Sequence, residues 1–437
     1  MKKIIGSFFV LLYAHLCFPQ DDYKIVAVGQ AGQVKDNILV TVESCGNSAQ
    51  SSKNLQEIAE ITRNDFSFYK SVLNVTLLTV DNGITSIADL GKISKAAVNY
   101  WVQWKCSAAS FVMVGHNIRE SKEVFRKEWQ NRIDTNRSLV HQYNDQVYQI
   151  FFSKPSIFNS KIVFSGAVEW GMRKSIKEIY MIDFDGHNLQ KITNHRGLAL
   201  SPAFSPDNKK IVYSLIDSTK RIKNVALHEF DLLSRTSRVV SDKVGMNSGA
   251  VYASDGSGVY MTLSYRGNAD IYFLDLKTGL ERQVTRSFAE DVDASITRDG
   301  KSMAFLSNRA GQANVYVLDP SGVDKDVRRI SYVGKFNATP RFSPDGSEII
   351  FSSWIDRGFD LFRLSVSGQS LVRLTKNFGS NEDPTYSLDG QFITFTSRQP
   401  SGKGTLDQKI YIMNRDGEIL GALTQNFKIC SSPRLSN

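Results

Sequence analysis

The chain has 437 residues, 53 of them Lys or Arg and 44 Asp or Glu, with a formal net charge of +9 and 41% hydrophobic residues. That length exceeds one ordinary domain, and the mix excludes disordered, collagen-like and cysteine-framed chains. No basic run and no aromatic-interleaved basic patch is present, so the modest positive excess reads as solvated surface rather than as a nucleic-acid footprint.

Lys2 and Lys3 precede an apolar run from Ile4 to Leu16, the layout of a secretory signal peptide over residues 1–20, with processing expected between Cys17 and Asp22. The run is short for a membrane span and no later stretch is long and apolar enough to be one, so the mature protein is expected to be soluble outside the cytoplasm. Leu16 before Cys17 speaks against a lipoprotein signal, and losing Lys2 and Lys3 takes the formal charge from +9 to +7. Of the cysteines that remain, Cys45 and Cys106 are open to pairing within the first domain, which leaves Cys430 over.

Residues 21–36 read as an N-terminal arm. Tyr23, Lys24, Ile25, Val26 and Val28 make a short β-type segment ahead of glycine-spaced sequence, suited either to packing on its own domain or to strand addition onto a partner.

Residues 37–153 alternate strand and helix patterns, as a small α/β domain does. Residues 38–43 read as a strand, and Leu55, Ile58, Ala59, Thr62 and Phe66 recur at helical spacing behind a cap at Ser51 or Ser52. Strands are expected at 77–80 and 111–115, one or two more within 121–132, and helices at 94–105 and 138–152. Trp101 and Trp104 read as core residues of the helix 94–105. Gly29 and Gly32 lack the third glycine and the strand-turn-helix setting of a dinucleotide site, and no phosphate loop occurs.

Residues 154–160, with Pro155, link this domain to residues 161–437, where short β-type runs alternate with turns. The turns repeat one motif, most complete at Ser343-Pro344-Asp345-Gly346: proline presets φ, Asp bonds its own backbone, and glycine takes the strained position. Asp207, Asp255, Asp299, Asp345 and Asp389 mark the copies, at intervals of 48, 44, 46 and 44 residues. A period near 45 holding four short strands is the signature of propeller blades. The first repeat lacks its opening strand, and residues 432–436 copy 339–343 without a following strand, so the fold class expected is an α/β domain plus an all-β six-bladed propeller closed by the C-terminal strand. Because strands alternate in direction, the Asp-Gly turns share one face with the α/β domain. The loops entering the first strands ring the axial opening on the free face, where Asn247, Ser248, Glu290, Asp291, Asn337, Thr339, Asn381, Glu382 and Asp383 are expected to form a polar, acidic binding rim.

No Gly-x-Ser-x-Gly motif occurs, and His116, His141, His187, His195 and His228 show no metal-ligand spacing, so no catalytic residue, metal or cofactor is expected. The Asp-Gly turns lack the acidic density of a calcium loop, and their turn role accounts for them. The rival readings are a secreted hydrolase or lyase, which requires a pair of channel carboxylates, and a glycan-binding protein.

Signal peptide, α/β domain and a propeller of Ser-Pro-Asp-Gly repeats, in that order, resemble the TolB family of the Gram-negative Tol-Pal system. The resemblance covers nearly the whole chain and is carried by residues 202–207, Thr285, residues 340–346, Leu374 and Thr375. It implies a periplasmic, non-enzymatic adaptor, monomeric before complex formation, that supports outer-membrane invagination during cell division and envelope integrity. It further implies that the arm at Tyr23, Lys24, Ile25, Val26 and Val28 meets an inner-membrane TolA-type protein and that an outer-membrane Pal-type lipoprotein docks over the axial opening. The chain departs from the pattern at the worn turns 253–256 and 297–300, at Asn208 in place of glycine, and at 246–250, which lack the blade-start proline.

Overall fold

The structure, a computed structural model, describes residues 34–436 except 44, 46–48, 81–85, 95–96, 108–109, 131–135, 172–173, 218–223 and 401–405. The expected signal peptide and the arm residues Tyr23, Lys24, Ile25, Val26 and Val28 lie outside the described residues.

The N-terminal domain is a five-stranded sheet ordered Leu73–Val80, Asp36–Glu43, Tyr100–Cys106, Ser110–Asn117, Lys122–Gln130. The first three strands are mutually parallel and the last two continue antiparallel. Helices Ala49–Ser67 and Arg137–Phe152 pack on it, the first burying Leu55, Ile58, Ala59, Thr62 and Phe66 at the spacing that marks a core-facing stripe.

One element differs from the sequence reading. Residues 100–106 form a central strand, not part of a helix. Trp101 and Trp104, three residues apart, point to opposite faces of it: Trp101 stacks on His116, and Trp104 donates to Thr62 Oγ1 from the other side. A central strand buried on both faces is apolar without alternation, which leaves no period to separate it from a helix. Both rings are core, as expected. Cys45 and Cys106 form a disulfide, and Cys430 is a buried free thiol.

The rest of the chain is a β-propeller. Four of the six expected blades stand as separate four-stranded antiparallel sheets, spanning 198–241, 247–283, 291–329 and 337–373. The strands expected to make the other two run in one eight-stranded sheet, in which the C-terminal strand Ile429–Leu435 pairs antiparallel with Lys161–Ala167. Apolar clusters lie between adjacent sheets; one joins Tyr260 and Ile271 of one blade to Phe305 and Tyr316 of the next.

The turn aspartates do what the motif asks of them. In four turns a Ser or Thr hydroxyl donates to the carboxylate of Asp207, Asp299, Asp345 or Asp389. A backbone amide two residues further on donates to the same oxygen. Gly346 and Gly390 follow at φ of 71° and 67°, where a side chain is strained.

The α/β domain packs on this turn face. Tyr69 meets Asp389, Phe68 meets Phe184 and Phe392, and Arg137 pairs with Asp185.

Candidate protein-binding face

The face away from the α/β domain is built where each fourth strand hands over to the next first strand. Six innermost strands carry a β-bulge near their start. At each bulge one residue sits at positive φ, between 49° and 61°: Ser201, Gly249, Asp293, Thr339, Asp383 and Ser432. A bulge re-aims the side chain that a regular strand would send into the sheet. Asp383 consequently faces its neighbours around the axis, accepting hydrogen bonds from the Ser432 amide at 2.9 Å and hydroxyl at 3.3 Å. Asp293 accepts one from Arg341 Nη2 at 2.7 Å. Burial raises the Asp383 carboxyl above the usual range, and Asp293 adds to the effect. Glu382 is raised in the same way, by burial and then by Asp383. Thr339, half-buried, shares a hydrogen bond with Ser352 Oγ. Thr339, Glu382 and Asp383 are thus half-buried at their bulges rather than set on an exposed rim.

Four other expected rim residues, Asn247, Asp291, Asn337 and Asn381, are fully buried. This corrects the reading of their side chains as a solvent-facing surface. Each lies at the start of a first strand, and the three asparagines tie it back to the preceding blade. Asn247 donates to the carbonyls of Val225 and Lys243 and accepts from Ser241 Oγ at 2.6 Å. Asn337 donates to Ser331 Oγ at 2.8 Å and Asn381 to Thr375 Oγ1 at 3.2 Å. Those two hydroxyls also accept third-strand amides, from Val315 at 2.7 Å and Leu361 at 2.9 Å. Asp291 pairs with Arg309 at 2.8 Å and accepts from Ser287. Short polar side chains recur there because the strand ends leave backbone groups that must be satisfied internally. Ser248 is half-buried, and Glu290 is exposed as expected.

What this face does present is apolar. Phe288 is fully exposed, Val244 is 84% exposed, and Met246, Tyr332 and Phe336 are also exposed, all on fourth-to-first connectors, as is Trp354 near the end of the second strand 348–355. Phe336 and Trp354 lean on Phe359 at 5.9 and 5.1 Å between ring centroids. Exposed Arg286, Lys335 and Lys376 mix with Asp242 and Glu290, so the face is not acidic. Aromatic side chains clustered in a polar surround are the anatomy of a protein-binding patch. The signal for two of them stood in the sequence: Met246 and Phe336 each directly precede the buried asparagine.

Among the described residues one group could offer three metal-ligand atoms, Asp65, His141 and Asp185, at the junction of the two domains. Both imidazole nitrogens face carboxylates, at 2.7 Å to Asp65 and 3.3 Å to Asp185, and Arg137 shares Asp185. Burial pulls the His141 pKa down, but the two carboxylates outweigh it and raise the pKa to about 9. The group is a buried ion cluster joining the domains, with the imidazolium as its centre.

Residues 148–354 match the family described as TolB beta propeller domain. The chain carries a TolB-type propeller. A Protein TolB homolog from Chlorobium luteolum is 33% identical over 202 residues, covering 46% of this chain and 43% of that protein. The Tol-Pal system protein TolB of Wolinella succinogenes is 26% identical over 204 residues, covering 45% and 47%. The chain thus matches under half the length of these curated relatives. The crystal structure of TolB from Acinetobacter baumannii aligns with a TM-score of 0.74 over 92% of this chain and 97% of that one, at 22% identity. The common fold takes in the α/β domain as well as the TolB-type propeller.

Proposed function

We propose that this chain is a periplasmic, non-enzymatic component of a Tol-Pal system, whose loop face docks an outer-membrane Pal-type lipoprotein and whose N-terminal arm engages an inner-membrane TolA-type protein. The observation that carries the proposal is the exposed apolar set Phe288, Tyr332, Phe336 and Met246 on the face of a TolB-type propeller opposite its α/β domain. The Cys45–Cys106 disulfide suits an oxidising compartment, and among the described residues no helix is long and apolar enough to cross a membrane. We read the eight-stranded sheet as two blades joined by the single pairing Gln408↔Ile429, which gives the six-bladed ring with the C-terminal strand as its closure. The six positive-φ bulges, one for each innermost strand, support that count. In this reading Asn247, Asp291, Asn337 and Asn381 shape the face from beneath, while Ser248, Glu290 and the exposed apolar residues make the contacts.

The arm is tested by deleting residues 22–32 from the mature protein. Capture of a TolA-type C-terminal domain is expected to be lost with the melting transition unchanged, and retained capture would remove the arm from the proposal. A role in outer-membrane invagination predicts chained, leaky cells on deletion of the gene, with rescue by the intact chain but not by the arm deletion.

A further inference from the structure

The channel's other mouth, on the turn face, is chemically unlike the loop face. A cavity of about 460 Å³ opens there, within the roughly 300–1,000 Å³ typical of ligand sites. Its lining holds three arginines, Arg298, Arg341 and Arg434, and no acidic residue.

Two of these cations come from the repeat itself. Arg341 and Arg434 occupy the same position of their innermost strands, each following the proline after a bulge residue, where the other four copies carry Ala203, Val251, Ser295 and Thr385. All six side chains line the cavity, so the position forms a tier around the axis. Arg341 and Arg434 each fold back on the carbonyl of the preceding proline. Arg341 is 8% exposed; it pairs with Asp293, one tier deeper, and also acts on the nearby Asp383 carboxyl, while its Nε has no hydrogen-bond partner. Among the described residues no carboxylate pairs with Arg298 or Arg434. A buried guanidinium N–H without an acceptor is costly, and a planar carboxylate is the acceptor that matches its fork. The remaining wall includes Phe204, Tyr252 and Phe342, which favours a ligand with apolar groups beside its charge over a bare inorganic anion.

We propose that the turn-side mouth of the channel binds a peptide carboxylate, seated between Arg298, Arg341 and Arg434 against the aromatic wall. This site is separate from the loop face and stands whether or not that face docks a lipoprotein.

The probe is N-acetyl-Gly-Leu-Glu with a free carboxyl terminus, titrated calorimetrically into the mature full chain at low salt, beside N-acetyl-Gly-Leu-Gln amide and inorganic phosphate. The acid is expected to bind, the amide to bind at least tenfold more weakly, and phosphate to compete only weakly. Exchanging the exposed Arg298 and the half-buried Arg434 for Gln is expected to lower the acid's affinity by about tenfold or more. The single exchange Arg298→Glu, at an exposed position, gives the same direction should the double variant fail to fold. Equal binding of acid and amide, unchanged affinity in the variants, or no binding of the acid at millimolar concentration overturns the proposal. Phosphate binding as tight as that of the acid overturns its peptide part.

Discussion

Tyr69, in the loop after the first helix, donates its hydroxyl proton to the carboxylate of Asp389, the turn aspartate of the last repeat. The same hydroxyl oxygen accepts the Ile157 amide from the linker at 3.0 Å. One phenol thus joins both domains and the segment between them. Asp389 is the repeat motif put to a second use: it still organises its own turn through Ser387 and the Gln391 amide.

Tyr69→Phe removes this buried hydroxyl and strands both partners. The expected loss is about 1–3 kcal/mol of stability in denaturant unfolding, since the Asp389 carboxylate and the Ile157 amide are left unsatisfied. The equivalent exchange at half-exposed Tyr411, whose hydroxyl bridges no domains, is expected to cost less.

His141 gives the domain junction a pH dependence. Its pKa in the folded protein, about 9, lies above the ordinary imidazole value of 6.5. Its contribution is therefore complete below about pH 6.5 and is lost as pH rises through about 9, by up to roughly 3 kcal/mol. The groups facing it are Asp65 from the first helix, Asp185 from the propeller, Arg137 and Asn144 from its own helix, and His187 beyond Asp185. Asp185 is held well below the usual carboxylate range: burial alone would raise it, but His141 and Arg137 prevail. Its contribution is present above about pH 4 and lost in acid. Unfolding free energy measured from pH 6.5 to 8.5 is expected to fall in the native chain and to fall much less over that range in His141→Gln; above about pH 9 both should lose stability, because Cys430 ionises more readily in the unfolded chain.

The Cys45–Cys106 bridge closes a 61-residue separation that contains the first helix and two strands of the sheet. Replacing both cysteines with alanine is expected to cost about 4 kcal/mol by relaxing the unfolded chain, read as a lower midpoint in denaturant. Cys430 should stay unreactive toward a thiol reagent until unfolding, because burial pushes its thiol up to about 12.

Asn337 and Phe336 are neighbours with opposite roles. Asn337→Ala removes one of the two donors to the Ser331 hydroxyl and empties a fully buried strand junction, and is expected to destabilise by about 1–3 kcal/mol. Phe336→Ala removes an exposed ring and is expected to change stability by under about 1 kcal/mol. Partner affinity should follow the reverse order once the Asn337→Ala protein is shown to be folded.

Where turn chemistry and period govern, the sequence read clearly. The Asp207-to-Asp389 spacing located the blades, residues 432–436 announced the strand that pairs with 161–167, and strand alternation put the α/β domain on the turn face. Two features were hidden for physical reasons. The strand 100–106 is buried on both sides, so its tryptophans at i and i+3 imitate a helix. The handover asparagines look like surface loop residues, because polar chemistry is the same whether an amide meets water or a buried hydroxyl. Burial at Asn247, Asn337 and Asn381 depends on contacts across blades, which no local pattern encodes. The arginine pair 341 and 434 was visible as a repeat, but that Arg341 meets Asp293 while Arg434 meets no carboxylate among the described residues depends on contacts between strands far apart in the chain.

We propose that the loop face holds the lipoprotein through its exposed aromatics. The most direct test is calorimetric titration of a Pal-type lipoprotein domain into the mature chain and into a Phe288→Ser, Phe336→Ser double variant, with Arg298→Gln on the opposite face as control. The double variant is expected to melt like the native chain and to bind at least about a hundredfold more weakly, as two central aromatic contacts would require, while Arg298→Gln binds normally. Native affinity in the double variant, or loss of binding in Arg298→Gln, would contradict the account.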